Sequence, residues 1–438
     1  MSTKRGEIVN MSVPYQVNQN GELTIGGVTA TELAKQYQTP LYVYDVNHIR
    51  QQMRSFKEVF MNRQIDYVVS YASKAFATIA MYEVAAQEGI HLDVVSGGEI
   101  QTALAANYPM SQVSFNGNNK SIEELEMAID NGLGTIILDN FYELSVLHDL
   151  LSERDKTQDV LLRITPGVEA HTHDYISTGQ TDSKFGFDVN SGQAYAALQK
   201  AIADPYLNVL GVSAHIGSQI FDVTGFKMAA EKLVDLVHEW GFDPQVINTG
   251  GGFGIRYTAD DKPLPATEFV EAIIDTITEK TTLYGMTMPA IWIEPGRAIV
   301  GPAGYNLYTI GSRKDVPGIR TYLSVDGGMG DNIRPALYEA KYEAILANNP
   351  QAPTEEVVRV AGKYCESGDV LVWQQALPKT KPGDVLAVLA TGAYGYSMAS
   401  NYNRNPRPAV VFVEGGQSQL VVERETYADM LRLDKHYQ

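Results

Sequence analysis

The sequence predicts an α/β chain: a (β/α)8 TIM barrel with a second, all-β domain built from the N-terminal segment and the C-terminal third. Three observations predict it. Eight short apolar runs alternate with helix-patterned segments over about 230 residues, the count and length of a barrel. No G-x-G-x-x-G follows the first run, which disfavours an open doubly wound sheet. Beyond Ala303 the helical alternation stops, and apolar runs recur at short spacing with Gly and Pro between them, an all-β pattern. The expected domains are a barrel over 46–303 and a β domain from 1–45 plus 304–438.

The elements follow in order. Within 1–45, runs near Leu23 and Leu41 read as strands, punctuated by Gly26, Gly27 and Pro40. A helix pattern from Val46 to Asn62 leads into D-Y-V-V-S-Y-A-S-K-A (66–75), a β-branched apolar run that ends in small residues and one lysine, Lys74. A helical segment, Phe76 to Gln87, is expected directly after it. The other strands are expected at 91–96, 113–117, 135–140, 160–164, 209–216, 245–250 and 290–296. Helices are expected at Ser121–Asn131, Gly192–Ala203, Gly225–Trp240 and Ala266–Tyr284. Ser121, followed by Glu123 and Glu124, is a candidate N-cap with acids in the first turn.

Composition narrows the partners. The 438 residues are 44% hydrophobic and carry a net charge of −18, with no basic block. Nucleic acid and anionic membrane are therefore not expected partners, since both need clustered Lys and Arg. The single cysteine, Cys365, rules out an internal disulfide and a multi-thiolate zinc site. No apolar leader and no run of about 18 apolar residues is present, so a cytoplasmic location is expected. His171 and His173 lack a third ligand at metal spacing, and no metal is expected.

In a barrel, chemistry gathers at the C-terminal strand ends. Those ends here are Lys74, Ser96-Gly97-Gly98, Asn116-Gly117-Asn118, His215 to Ser218, Gly250 to Gly252, and Glu294 to Arg297. Lys74 reads either as a solvated surface residue or, held against apolar walls, as a nucleophilic amine of the kind that forms Schiff bases. The glycines read as a flexible loop or as a cradle whose amides approach an anion. His215 is a core histidine or a ligand-facing imidazole. Cys365 is an incidental thiol or an acid beside Glu366.

An ordered set of motifs goes further. The first part is Y-A-S-K, V-S-G-G-E, R-I-T-P-G-V-E-A-H-T-H and I-S-T-G-Q-T-D-S-K-F-G. The second is H-I-G-S-Q, N-T-G-G-G-F-G, E-P-G-R, D-G-G-M, R-P-A-L-Y, C-E-S-G-D and T-G-A-Y. With these the chain resembles, from about residue 35 to about residue 410, the barrel-type pyridoxal-phosphate-dependent amino-acid decarboxylases. Within that family the pattern is most similar to members acting on meso-2,6-diaminopimelate. The resemblance implies decarboxylation of that compound to L-lysine and CO2, the last step of lysine biosynthesis. Alternatives are another basic substrate (ornithine, arginine or carboxynorspermidine) or an amino-acid racemase.

The resemblance also implies roles. Lys74 forms the internal aldimine with pyridoxal 5'-phosphate. Ser218, Gly250, Gly251, Gly252, Gly296 and Tyr394 surround the cofactor's phosphate, Pro295 and Arg297 also bind the cofactor, His215 stacks on its ring, and Glu294 faces the ring nitrogen. Arg297 and Arg334 clamp carboxylate, Tyr338 and Tyr394 add contacts, and Glu366 holds an ammonium. Cys365 returns a proton, and a homodimer shares its active sites through the C-E-S-G-D loop. A-K-Y-E-A, after R-P-A-L-Y, is more polar than the pattern and is expected not to touch these anchors.

Overall fold

Eight parallel strands close on themselves. In this computed structural model, which describes residues 14–167 and 183–437, they are β1 (Tyr67–Ala72), β2 (His91–Val94), β3 (Val113–Phe115), β4 (Thr135–Leu138), β5 (Gln158–Thr165), β6 (Leu207–Ser213), β7 (Val246–Asn248) and β8 (Ala290–Ile293). Each pairs in parallel with the next, and Ile291 to Ile293 of β8 pair with Tyr67 to Val69 of β1, which closes the barrel. The short strand Phe187–Asp188 adds to β5 and has no counterpart in the sequence expectation. His171 and His173 lie outside the described residues.

The strands are apolar because both of their faces are covered. Ile137, Leu161, Val246 and Trp292 fill the interior as one buried cluster, with Val68, Leu210 and Ala290 packed against it. That makes the barrel a packed core rather than a pore.

Four helix starts show how the rim is held. Thr78, Ser96, Ser121 and Asn140 each accept the amide three residues on, opening Ile79–Gln87, Gly97–Ala105, Ile122–Asp130 and Phe141–Arg154. Each satisfies an amide that the first helical turn leaves unpaired, worth about 1 kcal/mol. Ser121 is the N-cap expected, and it goes further by forming a full capping box with Glu124. The helix after β1 starts at Ile79, three residues later than expected. The chain first makes a 3-10 turn, Ser73–Ala75, and Thr78 then sets the helical start. Lys74 therefore sits on a turn between strand and helix.

The chain divides into two compact units. One holds Gln52–Gly254 and Pro263–Ala298, the barrel; the other holds the described residues before Gln52, Ile255–Lys262 and those from Ile299 onward. In the second unit the long strand Gly304–Val316 pairs antiparallel with Leu41–Asp45, Arg320–Val325 and Val385–Val388. Leu41–Asp45 in turn pairs in parallel with Ala409–Glu414. An N-terminal strand is thus laid into a mixed sheet otherwise built from the C-terminal third. No helix among the described residues is long and apolar enough to cross a membrane.

Candidate active site

The C-terminal rim of the barrel gathers side chains from six strands, four of them around one carboxylate. Asp93 lies within the buried run of β2, Asn116 follows β3, Asn248 ends β7 and Glu294 follows β8. Asn248 donates a side-chain amide to Glu294 Oε1 at 2.7 Å. Asn116 donates to Asp93 Oδ1 at 2.6 Å and reaches Glu294 Oε1 at 3.3 Å. Two amides therefore fix the Glu294 carboxylate. Asp93 is buried, and that desolvation pushes its carboxyl well above its ordinary value. The Glu294 charge adds to the rise, while the Lys74 charge and the Asn116 hydrogen bond oppose it.

Lys74 acts electrostatically on Asp93, Glu99 and His215. Lys74 is exposed. The turn that carries it is nonetheless anchored: the Ala72 amide donates to the Pro295 carbonyl at 3.1 Å. A β-carbon at Gly296 would lie 3.0 Å from Ala72 Cβ, so only glycine lets the two loops meet this closely.

Gly250 and Gly252 have φ of +69° and +111°, a region L-residues disfavour. Space is as tight as conformation. A β-carbon at Gly250 would stand 2.7 Å from the Ala214 carbonyl oxygen. At Gly251 it would run into the Glu294 carbonyl, and at Gly252 into that of Gly217. The turn is packed between the loops after β6 and β8, not left loose. Asn248 Oδ1 accepts the Gly250 amide at 2.8 Å, so one side chain orders both the glycine turn and Glu294.

His215 Nδ1 accepts the Gly251 amide at 3.2 Å. Burial lowers the imidazole well below its ordinary pKa, and the positive charges of Lys74 and Arg163 lower it further. Arg297, buried at the start of Arg297–Val300, donates to Ser218 Oγ at 3.0 Å.

The second unit holds the other candidates. Arg334 is buried, with its guanidinium over the rings of Tyr338 (5.5 Å), Tyr257 (5.7 Å) and Tyr394 (5.7 Å). Its Nε donates to the Tyr342 hydroxyl at 2.8 Å. Tyr342 belongs to A-K-Y-E-A, so that stretch does bear on an anchor, contrary to expectation. Cys365 and Glu366 are exposed on the loop between Glu356–Ala361 and Val370–Leu377. Arg297 and Arg334, expected as a pair, belong to different units, and Arg297 is bonded to Ser218. Asp93, Asn116, Asn248, Tyr257 and Tyr342 were not assigned from sequence. Asn116 and Asn248 carried a usable signal, each being a polar residue at the close of an apolar strand, whereas Asp93 lies within one.

The model of the family described as pyridoxal-dependent decarboxylase, pyridoxal binding domain, matches residues 46–301. The chain belongs to the pyridoxal-dependent decarboxylases. It is 58% identical to the diaminopimelate decarboxylase of Bacillus subtilis (strain 168), over 95% of this chain and 96% of that protein. It is 43% identical to that of Staphylococcus aureus (strain COL), over 96% and 99%. Among solved structures, the diaminopimelate decarboxylase from M. jannaschii in complex with L-lysine matches with a TM-score of 0.90 at 37% identity, covering 98% of each chain.

The cofactor of this decarboxylase family is pyridoxal phosphate, and the rim has the chemistry for it. A glycine turn with no room for β-carbons, the Ser218 hydroxyl and the Arg297 guanidinium form a donor set suited to a phosphate. Lys74 supplies a primary amine at the end of β1. Glu294, held by Asn248 and Asn116, supplies a fixed carboxylate at the end of β8. Among the described residues no group of three or more His, Cys, Asp or Glu is placed to hold a metal ion.

Proposed function

We propose that this chain converts meso-2,6-diaminopimelate to L-lysine and CO2, the last step of lysine biosynthesis, with pyridoxal phosphate held covalently on Lys74. The observation that carries the reaction type is the Glu294 carboxylate, braced by Asn248 and Asn116 where a cofactor's ring nitrogen is to be met. The substrate is inferred from near-full-length relatives named for that activity. Bound pyridoxal phosphate supplies the sink for the electron pair left on the α-carbon as CO2 departs.

The chain's own groups do the rest. Glu294 keeps the proton on the ring nitrogen, and a cation there, as in a racemase, would weaken the sink. Gly250, Gly251, Gly252, Ser218, Gly296, Arg297 and Tyr394 hold the phosphate, with Pro295 shaping the turn. His215 lies against the ring as a neutral imidazole. Arg334, with Tyr338, binds the carboxylate that stays, through a bidentate guanidinium pair. Arg297 adds to carboxylate binding, and Tyr394 to substrate contacts. Glu366 holds the distal ammonium. Cys365 gives a proton to the α-carbon, so that a C–H bond replaces the C–C bond lost. Ornithine and arginine lack a distal carboxylate, which disfavours them at a site built around Arg334. In this reading the enzyme is a cytoplasmic homodimer in which the loop bearing Cys365 and Glu366 serves the partner's site.

The test is lysine formation from meso-diaminopimelate by purified protein, with and without added pyridoxal phosphate. Cofactor-dependent lysine is expected, along with cofactor fixed on Lys74 by borohydride. Equal CO2 release from L-ornithine, L-arginine and diaminopimelate overturns the substrate assignment. Failure to label Lys74 overturns the anchor.

A further inference from the structure

The loop that carries Cys365 and Glu366 is exposed through Cys365–Gly368, yet Tyr364 and Asp369 on either side are buried. Three backbone bonds converge on Asp369. Its Oδ2 accepts the Tyr364 amide at 2.8 Å, its Oδ1 accepts the Met329 amide at 2.6 Å, and its carbonyl accepts the Gly362 amide at 3.0 Å. The surrounding chain is fitted to that carboxylate. A β-carbon at Gly328 would stand 2.5 Å from Oδ1, and one at Gly362 would overlap Oδ2.

The exposed side is tied separately. The Cys365 amide donates to Asn403 Oδ1 at 2.8 Å. Asn403 has a φ of +51°, a left-handed conformation that asparagine tolerates better than most residues. The adjacent Tyr402 ring stacks on Tyr364 at 6.1 Å with the planes 8° apart. Within the loop, Glu366 N–H donates to the Tyr364 carbonyl and Asp369 N–H to the Glu366 carbonyl, at 2.8 and 3.1 Å. Four exposed residues are thus pinned at both ends and at the amide of the cysteine itself.

We propose that Asp369 and Asn403 are positioning residues that hold Cys365 and Glu366 in a preformed loop for the reaction. The proposal rests on the reading above that Cys365 returns the proton and Glu366 holds an ammonium. A loop of exposed residues left free would have to be ordered each time substrate binds, and that ordering would be subtracted from binding and from transition-state stabilisation. Asn403 acts through the backbone of Cys365, not on substrate.

Asn403 gives the cleaner test, because Asp369 is buried and its variants can fail to fold. In the holoenzyme, Asn403→Ala should speed hydrogen exchange at the Cys365 amide, read on a peptide spanning the loop. It should also lower kcat/KM for meso-diaminopimelate by roughly threefold to tenfold, the scale of one lost hydrogen bond, through a lower kcat and a higher KM. Cofactor absorbance should not change. Asn403→Asp, which keeps the acceptor, should restore protection and most of the turnover. Unchanged exchange in Asn403→Ala overturns the tether. Faster exchange with unchanged turnover, in a protein whose Cys365→Ala variant also keeps full turnover, instead overturns the catalytic reading of Cys365, and the positioning role falls with it.

Discussion

The Gly251 amide donates to Nδ1 of His215 across 3.2 Å. A protonated Nδ1 cannot accept, so the ring is neutral and carries its one proton on Nε2. Burial, then the charges of Lys74 and Arg163, push its pKa down in the same direction. His215 should therefore show no ring titration between about pH 6 and pH 8, where free imidazole titrates. Histidine NMR signals compared with those of His215→Gln check this. The linkage follows from the sign. A base with a depressed folded-state pKa contributes stability above the unfolded value near 6.5, lost progressively as pH falls below it. The drop in urea stability from about pH 7.5 to about pH 5.5 should be smaller in His215→Gln.

Glu294 accepts from both Asn248 and Asn116. Glu294→Gln keeps an oxygen for those donors but loses the charge, so the fold and borohydride labelling of Lys74 should survive. Turnover should fall by about 100-fold or more, the scale of removing a group that governs a proton during the reaction. Asn248→Ala should cost about tenfold in kcat, as expected for one hydrogen bond to a charged group. Steady-state kinetics on the holoenzyme distinguish the two. A larger loss in Asn248→Ala than in Glu294→Gln would mean that Asn248 acts on the glycine turn and not only through Glu294.

The barrel was legible because each of its strands is an apolar run closed by small or polar residues, so periodicity located both strand and rim. Lys74, His215, Gly250 and Glu294 could be found that way. Asn116 and Asn248 obey the same rule but carry no ionisable group, whereas Asp93 lies inside an apolar run, between Leu92 and Val94. The late start of the helix after Lys74 depended on Thr78 outcompeting a continuous apolar pattern, a choice decided by one cap. Tyr257 and Tyr342 gave no local sign at all. They come from distant segments, and only the fold brings them to Arg334.

Arg334 offers a guanidinium among Tyr257, Tyr338 and Tyr394, with Nε already given to Tyr342. Lysine can supply the charge but neither the planar fork nor the stacking. Arg334→Lys should raise KM for meso-diaminopimelate by roughly tenfold to 100-fold, the range for hydrogen bonds to a charged group. L-lysine keeps the carboxylate that does not leave, so its inhibition constant should rise in parallel. A variant that loses substrate affinity but binds L-lysine normally would place Arg334 on the departing carboxylate instead.

Lys120 and Glu143 form an ion pair at 2.9 Å with side chains only 1% and 2% exposed. Lys120 uses all three of its protons, since Nζ also donates to the carbonyls of Gly117 at 2.9 Å and Ile137 at 2.8 Å. It therefore ties the loop after β3 to β4, beneath the rim. Burial raises the Glu143 carboxyl to about 7 even though Lys120 pulls it down. A carboxyl raised in this way contributes stability at low pH that is lost as pH rises through its folded-state value. Urea stability should accordingly carry a falling component between about pH 4.5 and pH 7, which Glu143→Gln removes. Lys120→Met strands a buried acid and should cost about 3–5 kcal/mol, whereas Lys120→Met combined with Glu143→Leu should recover most of it, because the burial penalty leaves with the pair. A double variant as unstable as Lys120→Met alone would show that the two carbonyl bonds of Lys120, not its charge pairing, hold the β3–β4 connection.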